Sequence, residues 1–387
     1  MKNLKKMLQS DFYRKNRLRI FSGVFAAVLV GGVLTVAYSI AHVSYDASSF
    51  ATATAINADM DALESPLPIP PPELDKAAYD AKLAYMSHSV PLDAVPVVID
   101  PAAPVTTPAK PVAPPLWPVK AVYPNAGALL PFNRIIAYYG NFYSKKMGVL
   151  GEYPEKEMLA KLAAEVKTWE AADPATPVIP AIHYIAVTAQ KSAGADGKYR
   201  LRMPDSHVQQ AIDIARKIDG IAFIDIQIAK STVQEELPHF EEFLKQPDVH
   251  LGLDPEFSMK NGEKPGSVIG TMNAADINFA ANYLAKLVRE NNLPPKILVV
   301  HRFTGKMLTG YRDIKPLPEV QIVVNMDGWG FGAKKINTYR AVVTPEPIQF
   351  TGFKLFYKND LLPPSKRLLT PKEVIDLTPS PMYIQYQ

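Results

Sequence analysis

From Arg134 onward the chain alternates short apolar runs with longer helix-like segments, the pattern of an α/β domain. Strands are predicted at Ile135–Tyr139, Ile179–Val187, Ala222–Ile228, Val249–Asp254, Ile297–His301, Val320–Asn325, Gly352–Tyr357 and Met382–Tyr386. Between them, helices are predicted at Glu155–Trp169, Asp205–Ile218, Val233–Lys245, Ala274–Asn291, Gly332–Val342 and Pro371–Leu377. Thr370-Pro-Lys-Glu373 is a capping box with proline at the first helical position. The weakest link is Gly305–Lys315, which supports only one or two turns. Eight strands in about 250 residues fit a single (β/α)8 barrel, an α/β TIM-like fold. An open doubly wound sheet is the rival. Against it, Tyr138-Tyr-Gly-Asn-Phe-Tyr143 after the first strand is aromatic and carries no glycine-rich dinucleotide fingerprint.

The pattern changes upstream. Proline dominates from Ser65 to Pro124, a composition that favours extended backbone and builds no core. One island, Glu73–Ser87, has helix-forming composition, and it either docks on something or stays a transient helix in a linker. Ile20 to Ala41 carries no charge and no proline; at 1.5 Å per residue it reaches roughly 30 Å, about one bilayer core. The basic residues before it (Lys2, Lys5, Lys6, Arg14, Lys15, Arg17, Arg19) predict a cytoplasmic N-terminus and an exported remainder. The expected organisation is therefore a basic segment (1–19), a transmembrane signal anchor (20–41), an Ala/Pro-rich linker (42–124) and a barrel (125–387). Such a chain would be a single-pass protein of the cytoplasmic membrane. A cleaved signal peptide, with sites between Ala51 and Ala55, is the rival.

Composition narrows the chemistry. The net charge of +4 resides largely in the first twenty residues, so no nucleic-acid partner is expected. There is no cysteine, which excludes disulfides, thiolate metal sites and a Cys nucleophile.

Polar residues recur where the predicted strands end: Tyr138, Tyr139, His183, Asp225, Gln227, Asp254, Glu256, His301, Asn325, Asp327, Trp329, Lys354 and Tyr357. Polar groups in apolar strands are costly unless paired, and the carboxyl ends of barrel strands form the face where such folds do chemistry. Asp254 and Glu256 are the strongest pair, one residue apart and thus on one side of an extended strand. Hydrolysis of a glycosidic bond needs a carboxylic acid and a second carboxylate across the bond. Glu256, further out, is the expected acid; Asp254, Asp225 and Asp327 compete for the second role. The aromatic residues offer flat faces to sugar rings, with Tyr138, Tyr139, His183, Gln227, His301, Asn325, Trp329, Lys354 and Tyr357 as expected substrate-binding groups. The bland alternative is that Asp254 caps the turn at Pro255 and that each polar residue is a satisfied barrel group. His183 and His301 with Asp225 are a conceivable metal set. The sequence has no His-x-His on the first strand and no HExxH, so no metal is expected. Gly328-Trp-Gly-Phe-Gly-Ala-Lys334 lacks the Walker spacing and reads as an active-face loop, so no cofactor is expected either.

Tyr138-Tyr-Gly-Asn141, Met147-Gly-Val-Leu-Gly-Glu152, Leu253-Asp-Pro-Glu-Phe257, Val300-His-Arg-Phe303, Asn325-Met-Asp-Gly328 and Phe353-Lys-Leu-Phe-Tyr357 together resemble a group of bacterial envelope proteins, many of them exported, with a glycosidase-like barrel. That resemblance spans residues 130 to 387 and implies fold and location, not a reaction. The Asp-x-Glu also looks like that of chitinase-like hydrolases and one class of barrel muramidases. Leu251 and Gly252 break the full chitinase run, so only Asp254 and Glu256 match. The expectation is a membrane-anchored glycoside-hydrolase-like barrel acting on an envelope or extracellular glycan. The alternative is a non-catalytic barrel that binds a glycan or an envelope protein.

Overall fold

The computed structural model describes residues 72–88 and 115–387. The expected anchor at 20–41 lies outside these residues. Among the described residues no helix is long and apolar enough to cross a membrane.

Eight parallel strands form the centre: β1 (Arg134–Gly140), β2 (Val178–Ala189), β3 (Ile221–Ile226), β4 (Val249–Leu253), β5 (Lys296–Arg302), β6 (Val320–Met326), β7 (Phe350–Leu355) and β8 (Tyr383–Tyr386). Each pairs with the next in sequence, and β1 pairs with both β2 and β8, which closes the sheet into a barrel. The open-sheet rival is thereby excluded. The outer layer follows prediction except that a short helix, Val149–Glu152, precedes the first, one helix is split, and an edge strand is added beyond β2. Val233–Lys245 is not one helix, because Pro238 has no N–H to donate and splits it into Val233–Glu236, a 3-10 turn Leu237–Phe240 and Glu241–Leu244. As expected of the weak link, only the 3-10 turns Gly305–Met307 and Tyr311–Asp313 and a two-residue strand, Leu308–Thr309, lie between β5 and β6. Beyond β2, Arg200–Arg202 adds an antiparallel edge strand. There Glu236, fully buried, accepts from Arg200 Nε and Arg202 Nε at 2.7 Å each.

Period-two alternation sorts every barrel strand into two cores. Ile136, Ile182, Ile224, Leu251, Val300, Val324, Phe353 and Ile384 point outward and pack against the helices. Ile135, Ala137, Ala181, Phe223, Val299, Val323, Phe350 and Tyr383 point inward and fill the barrel. A third component closes the amino-terminal end. The island forms a helix, Lys76–Met86, capped by the Asp75 side chain on Ala78 N. It places Tyr79 and Met86 in the inward-facing core, with Tyr79 edge-on to Phe132 at 6.1 Å. Tyr85 reaches Asp173, which is ion-paired to the buried Arg134 at 2.8 Å. The island thus docks on its own domain.

Candidate active site

β4 ends one residue earlier than the sequence indicates. Pro255 cannot donate a ladder bond, and the Asp254 carboxylate captures the Glu256 N–H at 3.1 Å. The backbone therefore leaves the sheet as a 3-10 turn, Pro255–Phe257. Contrary to the expectation from alternation, Asp254 and Glu256 do not share a strand face. Asp254 stands on the barrel rim and Glu256 reaches the same cleft from the turn.

That cleft, about 860 Å³, opens at the carboxyl ends of the strands. Tyr139, Gln227, Asp254, Glu256, Asp327, Trp329 and Lys354 line it, seven of the thirteen residues singled out in the sequence. Phe257, Phe303 and Phe356 contribute further aromatic wall, and Trp329 is 50% exposed. Lys354 Nζ lies 3.4 Å from Asp327 Oδ2 and 3.9 Å from the centre of the Tyr139 ring. Gln227 donates to Asp254 Oδ2 at 3.1 Å, so both Asp254 oxygens accept a hydrogen bond.

His183, Asp225, His301 and Asn325 lie one layer deeper, all fully buried. Asp225 is the node. Tyr139 donates to its Oδ2 at 2.8 Å, while Oδ1 faces His183 Nε2 at 3.3 Å and His301 Nε2 at 3.5 Å. His301 Nδ1 meets Asp327 Oδ2 at 3.1 Å, linking this layer to the cleft. The layer requires a glycine in β4: a Cβ on Gly252 would come within 2.4 Å of His183 Nε2 and 2.5 Å of Asp225 Oδ1. One of the two residues that break the chitinase-like run, Gly252, is therefore the one that makes room for His183 and Asp225. His183, Asp225 and His301 also form a group able to hold a metal ion, although they are distant in sequence.

The cleft divides its carboxyl groups electrostatically. Burial first, then the charge of Asp327, pushes Glu256 up to about 7. Burial, reinforced by Asp327, Asp225 and Glu256 and opposed by His301, drives Asp254 well above the ordinary range. Asp327 goes the other way: against burial, Lys354 and His301 hold it at about 2. Burial and the neighbouring carboxylates raise Tyr139 far above its usual range, so it remains a neutral donor.

Two expected substrate-binding residues point elsewhere. Tyr138 and Tyr139 are adjacent, so alternation sends Tyr138 to the helix layer. Its hydroxyl meets that of Tyr357 at 2.9 Å, and Tyr357 in turn donates to Glu165 at 2.6 Å. Neither lines the cleft. Sequence reasoning also missed Lys146, Thr188, Gln190 and Lys191, which do line it. Thr188 and the residues after it reach the cleft because β2 is long and slips register between Ile185 and Val187. No local signal in the sequence marks that bulge. The loop Gly328–Lys334 lies at the rim as expected. It is fastened from behind: Asp360 accepts from Gly330 N at 2.9 Å and pairs with the buried Lys335 at 2.9 Å, and Lys335 also donates to Gly328 O at 2.8 Å.

No family model and no curated protein matches the chain. Among solved structures it is similar to a cellulase, with 14% identity over 58% of this chain and a TM-score of 0.34. The match covers 65% of that cellulase, so this chain spans less than two thirds of it. It is also similar to cellulose synthase subunit Z of Clostridioides difficile, with 8% identity, a TM-score of 0.37 and coverage of 66% of this chain and 92% of that one.

Proposed function

We propose that this chain is a barrel hydrolase that cleaves a glycosidic bond in a cell-envelope or extracellular glycan, with Glu256 as the acid. One observation carries the reading. In an aromatic-walled cleft, Glu256 holds its proton near neutral pH while Asp327, paired with Lys354, stays ionised. Glu256 donates its proton to the glycosidic oxygen as the bond to the anomeric carbon breaks. The Asp327 carboxylate faces the positive charge that develops on the sugar. Lys354 and His301 both engage Asp327 Oδ2, and Oδ1 has no protein partner among the described residues. Water then adds to the anomeric carbon and gives one proton back to the Glu256 carboxylate, which completes the hydrolysis. Trp329 and the three phenylalanines stack on neighbouring sugar rings. The basic head and apolar run at 20–41 support a location outside the cytoplasmic membrane, tethered by that run.

A second reading rests on Asp254 and Asp327. Both Asp254 oxygens are taken by Gln227 and Glu256 N, and the Asp327 charge is countered by two cations. A barrel so arranged binds a glycan or an envelope protein without cleaving it. The full chain, purified in detergent and assayed for new reducing ends on β-glucans, chitin and peptidoglycan, separates the two. On the hydrolase reading, Glu256→Gln loses turnover by about 10²–10⁴-fold and keeps binding. Binding by the wild-type chain with no cleavage of any substrate establishes the second reading.

A further inference from the structure

We propose that His183, Asp225 and His301 form a binding site for a divalent transition cation of the zinc class, one layer beneath the cleft floor. The three side chains come from β2, β3 and β5 and are fully buried. The atoms that face one another, His183 Nε2, Asp225 Oδ1 and His301 Nε2, make no hydrogen bond. Three unpartnered buried polar atoms in one place are costly. Their spacing explains the cost. Asp225 Oδ1 lies 3.3 Å from one ring nitrogen and 3.5 Å from the other, and is hydrogen-bonded to neither. Zinc–nitrogen and zinc–oxygen bonds of about 2.1 Å in a tetrahedron give ligand–ligand edges of about 3.4 Å. The two edges at Asp225 match those between ligands of one ion, and all three atoms lie within 4.8 Å of one another.

The surroundings supply what imidazole ligands need. Each ring has a partner at its other nitrogen: His301 Nδ1 faces Asp327 Oδ2 at 3.1 Å, and His183 Nδ1 faces the Tyr383 hydroxyl at 2.6 Å. A carboxylate or hydroxyl at Nδ1 holds the proton there and turns the Nε2 lone pair inward. Buried Gln385 Oε1 and Asn325 Oδ1 are likewise unpartnered. With the Gln385 amide turned, its oxygen accepts from Tyr383 and Tyr383 accepts from His183 Nδ1–H. With the Asn325 amide turned, its oxygen faces His301 Nδ1–H. Tyr139 donates to the second oxygen of Asp225 and leaves Oδ1 for the ion. Gly252 completes the cradle, because a Cβ there would sit 2.4 and 2.5 Å from two of the ligand atoms. On uptake the cation takes the place of any proton on His301 Nε2, which leaves as H⁺. Two nitrogens and one oxygen suit zinc rather than magnesium or calcium.

The test uses the full chain, stripped with a chelator and then titrated with Zn²⁺ and, separately, Co²⁺. One zinc per chain by elemental analysis is expected. So are the visible bands of low-coordinate cobalt and a thermal midpoint that falls on chelation and returns with zinc. His183→Ala and His301→Ala should each weaken binding at least 100-fold. Asp327→Asn, acting through His301, should weaken it 10–100-fold. Gly252→Ala should abolish it, and the exposed His239→Ala should leave it intact. Should the histidine variants not fold, the wild-type cobalt spectrum and stoichiometry decide alone. The proposal is overturned by wild-type protein that takes up no stoichiometric ion, or by uptake that survives loss of either histidine. None of these readouts involves a glycan, so the outcome is independent of whether the cleft cleaves one.

Discussion

The Asp254 carboxylate accepts the backbone N–H of Glu256 at 3.1 Å, so one cleft acid fixes the main chain that carries the other. An asparagine can make the same bond through its oxygen, at the expense of the one from Gln227, and an alanine can make neither. We expect Asp254→Ala to cost about 1 kcal/mol of stability, the usual worth of such a cap, and Asp254→Asn to cost much less. Denaturant midpoints of the two variants check this. Equal losses would show that the acceptor Asp254 offers to Gln227 Nε2, which an asparagine amide nitrogen does not replace, matters more to the fold than the cap.

Glu256 makes stability depend on pH. Its folded value is about 7 against an ordinary 4.5, so the folded chain keeps a proton that the unfolded chain has released between those values. Its contribution is fully present below about pH 4.5 and is lost as pH rises through 7, to a limit of about 3 kcal/mol. Glu256→Gln should therefore be more stable than wild type at pH 8 and not at pH 4. Unfolding by denaturant at both pH values, in chelator so that no bound cation contributes, measures the difference. A gap that does not change with pH would contradict the assignment.

Lys354 and Asp327 are a buried pair at 3.4 Å. Removing only the cation leaves Asp327 with His301 alone, and Lys354→Met should cost about 3 kcal/mol. Lys354→Met combined with Asp327→Asn should recover much of that loss. Additive losses in the double-mutant cycle would show that the two side chains are not coupled.

Tyr79 tests the helix below the barrel. It is buried against Phe132 in the inward-facing core. Tyr79→Ala should cost about 3–4 kcal/mol, as for other large aromatic truncations. A thermal midpoint within a degree of wild type would mean that the helix does not stay docked in solution.

The barrel was legible because its signal is local. Each strand is a mostly apolar run with few polar interruptions, and the missing helix between β5 and β6 shows as a segment too short and polar to form one. The Pro238 break was visible as a residue and outweighed by the apolar periodicity around it. The site was legible only in part, because it depends on parity and on long-range approach. Tyr138 and Tyr139 look equivalent in sequence, and only strand phase decides which meets the cleft. His183 and His301 are separated by more than a hundred residues, so no spacing motif marks them; they were set beside Asp225 only as strand-end groups of one barrel, without a metal being expected. Gly252 looked like a defect in a motif because its reason lies in two other strands.

Strand parity has a further consequence. In β3, Asp225 faces the barrel axis while Ile224 and Ile226 face the helices. Deleting one residue upstream within that strand would exchange these roles, burying a carboxylate among leucines and isoleucines and handing the axis an isoleucine. The chemistry is therefore encoded as phase as well as identity. Homologous chains with every polar residue present, but one strand shifted by a single position, would share this composition and none of this site.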